Sequence, residues 1–131
     1  MAKSSVPDEG FGKLLGMEMY ERGDGYSRGR LTVRPELLNP HGTLHGGVMY
    51  SLADNGMGAA VYSKLDEQES CATIEIKIVY MAPVTAGALE CESRVVNRSR
   101  RLAVLESDVF NEGRLVARAL GTFAIFARRE R

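Results

Sequence analysis

The chain has 131 residues, 44% of them hydrophobic, with 17 basic side chains balanced by 17 acidic ones. That length suits a single domain, taken as 1–131, with a core of its own and enough exposed surface for oligomerisation to help. Charge balance excludes an overall basic field for nucleic acid, and the longest apolar stretch, 44–62, is broken by glycines, Asp54 and Asn55, which excludes a membrane span.

Residues 1–9 are polar, include Pro7 and read as a loose lead-in with no apolar leader behind Lys3, so a cytoplasmic protein is expected. Phe11, Leu14, Leu15 and Met17 then follow a helical spacing, which predicts a short amphipathic helix ending near Gly16. Glu21, Arg22, Gly23, Asp24 and Gly25 carry turn chemistry. Alternation over 26–33 predicts the first strand, with Tyr26, Leu31 and Val33 as candidate inward positions. Pro35 and Pro40 bracket a loop over 37–43.

From His45 to Lys64, apolar and small residues fall on nearly every face, the mark of a buried helix. The rest reads as sheet. Ile74, Ile76, Ile78 and Tyr80 alternate with Thr73, Glu75, Lys77 and Val79, and Pro83 and Gly87 punctuate. Leu89, Cys91, Ser93 and Val95 alternate with Glu90, Glu92, Arg94 and Val96. A polar turn over 97–101 leads to the hairpin partner, 102–110, and Asn111, Glu112 and Gly113 make the next tight connection. The segment 115–126 is apolar on both faces and predicts a central strand covered on both sides. Cys71 and Cys91 share no CxxC or metal-type spacing and are expected as buried, reduced thiols. The predicted architecture is α+β, an antiparallel sheet wrapped around a long central helix.

One residue breaks this pattern. Asp54 sits mid-helix between Ala53 and Asn55, where a carboxylate costs several kcal/mol unless it is paired, hydrogen-bonded or facing water. Either it is a structural Asp bonded to backbone or to Asn55, or it does chemistry. The second feature is the run Asn39, Pro40, His41, Gly42, Thr43, Leu44, His45, Gly46, Gly47 leading straight into the helix. Backbone N–H groups at a helix start attract negative charge, and glycines let a ligand approach them. The amides of Gly46 and Gly47 can thus polarise a carbonyl oxygen, although a glycine-rich loop with an incidental histidine has the same sequence. Asp54 lies about 12 Å along the helix from Gly46 at 1.5 Å per residue. If the two cooperate, a two-fold dimer with antiparallel helices must bring Asp54 of one subunit to Gly46 of the other.

With its HGG at 45–47, Leu52-Ala53-Asp54 and then Tyr80-Met81-Ala82-Pro83, the chain resembles the hotdog-fold thioesterases over nearly its whole length. Within them it is most similar to the PaaI-like and Them2-like branch of the 4-hydroxybenzoyl-CoA thioesterase superfamily. The resemblance implies Asp54 as the catalytic carboxylate, general base or nucleophile, and Gly46 as the amide that polarises the thioester carbonyl. It also implies His45 as an accessory orienting group, Asn39 as a residue that places the carbonyl or the water, and Thr73 where relatives use Ser to hold water. Gly58 departs from branches that carry Ser or Thr there, so the helix supplies no hydroxyl at that position. Arg98, Arg100 and Arg101 suit the phosphates of coenzyme A, or else form a solvated turn.

The expectation is an acyl-CoA thioesterase acting on aryl- or medium-chain acyl groups, with no metal and no bound cofactor, coenzyme A being part of the substrate. Its partners are the small-molecule substrate and a second copy of itself, with no nucleic acid and no membrane. A homotetramer is the expected assembly, although the sequence does not itself choose between dimer and tetramer. A non-catalytic acyl-CoA binding module and a hotdog hydroxyacyl dehydratase are the alternatives. Met49, Met57, Tyr50 and Tyr80 line a pocket or belong to the core.

Overall fold

A computed structural model describes residues 10–129, so the lead-in expected over 1–9 lies outside the described residues. The helix α1, Phe11–Leu15, ends where Gly16 turns left-handed at φ 80° and returns its N–H to Gly12 and Lys13. The strands are β1 (Glu18–Gly23), β2 (Tyr26–Thr32), β3 (Glu69–Tyr80), β4 (Ala88–Arg98), β5 (Leu102–Asn111) and β6 (Arg114–Ala127). Among the described residues they form one antiparallel sheet in the order β1-β2-β4-β5-β6-β3. A 3₁₀ turn, Pro35–Leu37, and the long helix α2, Gly46–Tyr62, connect β2 to β3.

The strand β1 corrects the turn expected over 21–25. Only Asp24 and Gly25 turn, both at positive φ (57° and 79°), the two-residue Asp-Gly hairpin geometry that matches strand twist. A bulge between Met19 and Glu21 breaks the alternation of β1, which hid it from a period-two reading. In β2 the inward residues are Ser27, Gly29 and Leu31. Tyr26, of opposite parity to Leu31, faces the other way.

The helix α2 is also not buried all round. Val48, Met49, Leu52, Ala53, Gly56, Met57, Ala60 and Val61 form one buried face, packed on the sheet. Tyr50, Ser51, Asp54, Asn55, Gly58 and Ala59 lie on the other, which this chain does not cover. The reason is the small side chains on that side: they read as apolar but need no neighbour. Likewise β6, though central, is covered on one face only, with Leu120 half-exposed on the other. Along the edge strand β3, Ile74 is exposed because a bulge between Thr73 and Glu75 takes it out of the alternation.

The core fills the space between sheet and helix with Leu52, Met57, Leu89, Leu105, Val109 and Val116, all fully buried. Each such side chain contributes about 1.5–3 kcal/mol by leaving water. Met49 and Met57 are core residues, whereas Tyr80 is exposed. A layer of buried serines lies beneath α2: Ser27 Oγ donates to the Gly56 carbonyl at 2.6 Å, and Ser93 Oγ meets Ser107 Oγ at 2.6 Å. Cys91 is fully buried beside Ser93, but Cys71 is only half-buried. No helix among the described residues is long and apolar enough to cross a membrane.

Candidate active site

Asp54 sits on the open side of α2, half-buried at the mouth of a cavity of about 460 Å³. Its partner is neither local backbone nor Asn55. The Thr73 hydroxyl, arriving from β3, donates to Asp54 Oδ1 at 2.7 Å. Gly58, Ala59 and Tyr62 continue the cavity along α2, Met19 and Arg22 enter from β1, and Cys71 and Phe123 close it from the sheet. Burial raises the Cys71 thiol above its ordinary range, and the Asp54 carboxylate adds to the effect, so this wall is a neutral SH group.

Gly46 opens α2 at a second hollow, lined with Leu44, Met49, Tyr80, Met81 and Pro83. A Cβ on Gly46 would fall 2.9 Å from Tyr80 Cζ, and the Tyr80 hydroxyl donates to the Gly46 carbonyl at 2.8 Å. This residue is therefore glycine because an aromatic ring lies against it. The Gly46 N–H has no partner among the described residues. The Gly47 N–H does: His45 caps the helix, its Nδ1 accepting that N–H at 2.8 Å. Of the two helix-start amides, only that of Gly46 is without a partner among the described residues.

Asn39 knits the loop that enters α2. Its Oδ1 accepts from the N–H groups of His41 and Thr43, and its Nδ2 donates to Thr43 Oγ1 at 2.9 Å. Both ends of the amide are engaged within the loop, and Asn39 lines neither hollow. At the β4–β5 turn, Arg98 is tied to Glu69 at 2.9 Å and to the Lys64 carbonyl. Arg100 and Arg101 are exposed. The structure therefore brings together Asp54 and Thr73, and separately Gly46, Gly47 and His45. Sequence reasoning missed Arg22 as a cavity residue and the Tyr80 contact with Gly46. A charged side chain on a strand read as a turn gave no signal for the first, but the Tyr80-Met81-Ala82-Pro83 motif marked the second. Among the described residues no cluster of three His, Cys, Asp or Glu side chains is placed to hold a metal ion.

Comparison with known proteins places the chain in a family. Residues 41–117 match the family model of the thioesterase superfamily. The acyl-coenzyme A thioesterase PaaI of Escherichia coli is 26% identical over 113 residues, covering 85% of this chain and 78% of that protein. The conserved protein PA5202 of Pseudomonas aeruginosa superposes with a TM-score of 0.87 at 36% identity, over 90% of this chain and 94% of that one. A variant of the phenylacetic acid degradation protein PaaI from Thermus thermophilus does so with 0.81 at 32% identity, over 87% and 96%.

Proposed function

Because this chain belongs to the thioesterase superfamily, as a PaaI-like thioester hydrolase with a hotdog fold, we propose that it cleaves aryl- or medium-chain acyl-CoA to the free acid and coenzyme A. The observation that carries the site assignment is Asp54, a carboxylate held by Thr73 on the uncovered side of a helix and facing a cavity of mixed polar and apolar lining. As general base, Asp54 takes a proton from water while the water oxygen attacks the thioester carbonyl carbon. The carbonyl oxygen gains charge against the Gly46 N–H, the C–S bond breaks, and the thiolate of coenzyme A leaves and collects the proton. As nucleophile, Asp54 would instead form a mixed anhydride that water opens, and the same residues serve either course. No metal or bound cofactor enters the scheme.

Asp54 and Gly46 are eight residues apart on one helix, about 12 Å at 1.5 Å per residue, too far to share one carbonyl. Two copies related by a two-fold axis, with their α2 helices antiparallel, solve this. The uncovered side of α2 and the exposed Ile74, Tyr80 and Met81 along β3 and its end are surfaces that such pairing would cover. Pairs of dimers then make the tetramer. Arg100 and Arg101 take the phosphates of coenzyme A, with Arg98 holding the turn through Glu69. The free thiols Cys71 and Cys91 suit a reducing compartment such as the cytoplasm.

The test is thiol release from a panel of aryl- and alkyl-CoA thioesters by wild type and Asp54→Ala. A wild-type rate that falls roughly a hundredfold or more in the variant is expected. Tight acyl-CoA binding without release from any of them would make this a binding module instead.

A further inference from the structure

Most arginines of this sheet are neutralised where they stand. Arg28 faces Glu92, Arg30 faces Glu18, Arg94 faces Glu106 and Arg118 faces Asp108. Arg22 is different. No carboxylate pairs with it among the described residues, and it lines the cavity that opens beside Asp54. Its direction follows from register. Arg22 is the cross-strand partner of Ser27, and such partners project to the same side of an antiparallel sheet. Ser27 is fully buried beneath α2, bonded to the Gly56 carbonyl. The neighbouring pair, Glu21 and Arg28, meets on the opposite side. The bulge in β1 makes this possible: Met19 and Arg22, three residues apart, both line the cavity.

The height of Arg22 along α2 is bracketed by two anchors. Ser27 Oγ bonds the Gly56 carbonyl, and the Gly25 N–H bonds Ser63 Oγ at 2.8 Å. Gly56 and Ser63 follow Asp54 by two and nine positions, roughly 3 and 13 Å along the axis. Between them Gly58 and Ala59 leave the cavity open, and at the far end Arg128 donates to the Tyr62 hydroxyl at 2.6 Å. The cavity lining thus carries one carboxylate, Asp54, and one guanidinium, Arg22, while Arg128 stands behind Tyr62.

We infer that the site prefers acyl groups that themselves end in a carboxylate, with the thioester carbonyl at Asp54 and the terminal carboxylate on Arg22. The class is the monothioester of a straight dicarboxylic acid of about six carbons, whose carboxyl carbons stand about 6 Å apart when extended, within the roughly 3–13 Å interval. This rests on the thioesterase reading and deepens it by naming the acyl tail. A guanidinium offers a carboxylate two parallel N–H donors, and the exposure of Arg22 to water keeps the preference to about threefold.

The test compares kcat/KM for thiol release from adipoyl-CoA and hexanoyl-CoA, equal in length and differing in the terminal carboxylate. Wild type, Arg22→Gln and Arg22→Lys are assayed. Wild type is expected to favour adipoyl-CoA about threefold, with the ratio collapsing in Arg22→Gln through KM and partly kept in Arg22→Lys. Hydrolysis without that preference, equal loss of both substrates in Arg22→Gln, or hydrolysis of aryl-CoA alone overturns the tail assignment and leaves the thioesterase reading standing. Release from no thioester at all overturns that reading, and the tail assignment falls with it.

Discussion

Thr73 Oγ1 donates to Asp54 Oδ1 at 2.7 Å, across from β3 to α2, immediately beside the bulge between Thr73 and Glu75. Bulges re-aim side chains, and this one sets a hydroxyl against the carboxylate. Thr73 is exposed and water can replace its bond in part, so losing it costs orientation more than it costs the fold. Thr73→Val is expected to lower kcat about tenfold, and Thr73→Ser to keep it, with thermal midpoints close to wild type because the position is exposed. An unchanged kcat in Thr73→Val would mean that Asp54 needs no help from β3.

At the other end of α2 the critical approach is between Gly46 and the Tyr80 ring. An alanine there would place its Cβ 2.9 Å from Tyr80 Cζ, inside van der Waals contact. Alanine normally favours a helix over glycine by about 1 kcal/mol, but here the ring or the helix start must shift. Gly46→Ala should therefore reduce kcat by roughly one to two orders of magnitude, by displacing the amide proposed to polarise the carbonyl. Tyr80→Phe keeps the ring and loses only the bond to the Gly46 carbonyl, so a milder effect is expected. Equal activities of Gly46→Ala and wild type would remove Gly46 from the mechanism.

These two sites show what the sequence could and could not reveal. Asp54 stood out because an ionised side chain in an apolar helix contradicts its surroundings, and the HGG run stood out because glycines at a helix start are costly without a reason. The strand β1 did not, because its bulge erases the alternation that marks a strand. The one-sided burial of α2 was equally hidden, since Gly58 and Ala59 look the same to a periodicity reading whether they face a core or a cavity. The engagement of Asn39 within its own loop depends on the turn at Gly42, whose φ of 85° no spacing rule supplies.

Two glycines on α2, two residues apart, should respond oppositely to alanine. A Cβ on Gly56 would lie 2.5 Å from Ser93 Oγ, and Ser93 is held by Ser107. Overpacking there costs about 1–3 kcal/mol, more than the helix propensity gained. A Cβ on Gly58 meets nothing nearer than Phe123 Cε2 at 3.9 Å. Urea midpoints are expected to fall for Gly56→Ala and to rise for Gly58→Ala, by about 1 kcal/mol each. Because Gly58 lines the cavity, the second variant should also turn over bulkier acyl groups more slowly. A fall for both would mean that Gly58 does not face open cavity space but is packed against a neighbouring group.

Burial pushes the Cys91 thiol up to about 11, against the lowering effect of its hydrogen bonds with Ser93 and Ser107. An unfolded chain releases this proton near pH 9, the ordinary value of a thiol, while the folded chain keeps it to about pH 11. The stability that follows from a neutral buried thiol is therefore complete below pH 9 and lost as pH rises toward 11. One proton over that interval corresponds to about 1.4 kcal/mol per pH unit. Cys71, also raised by burial, acts in the same direction, but it is present in both proteins of a comparison between wild type and Cys91→Ala. Between about pH 8 and 10.5, wild type is expected to lose about 2 kcal/mol more than Cys91→Ala, measured by urea unfolding. Identical losses would mean that the thiol ionises in the folded protein as readily as in the unfolded one, and that the serine layer beneath α2 is open to water.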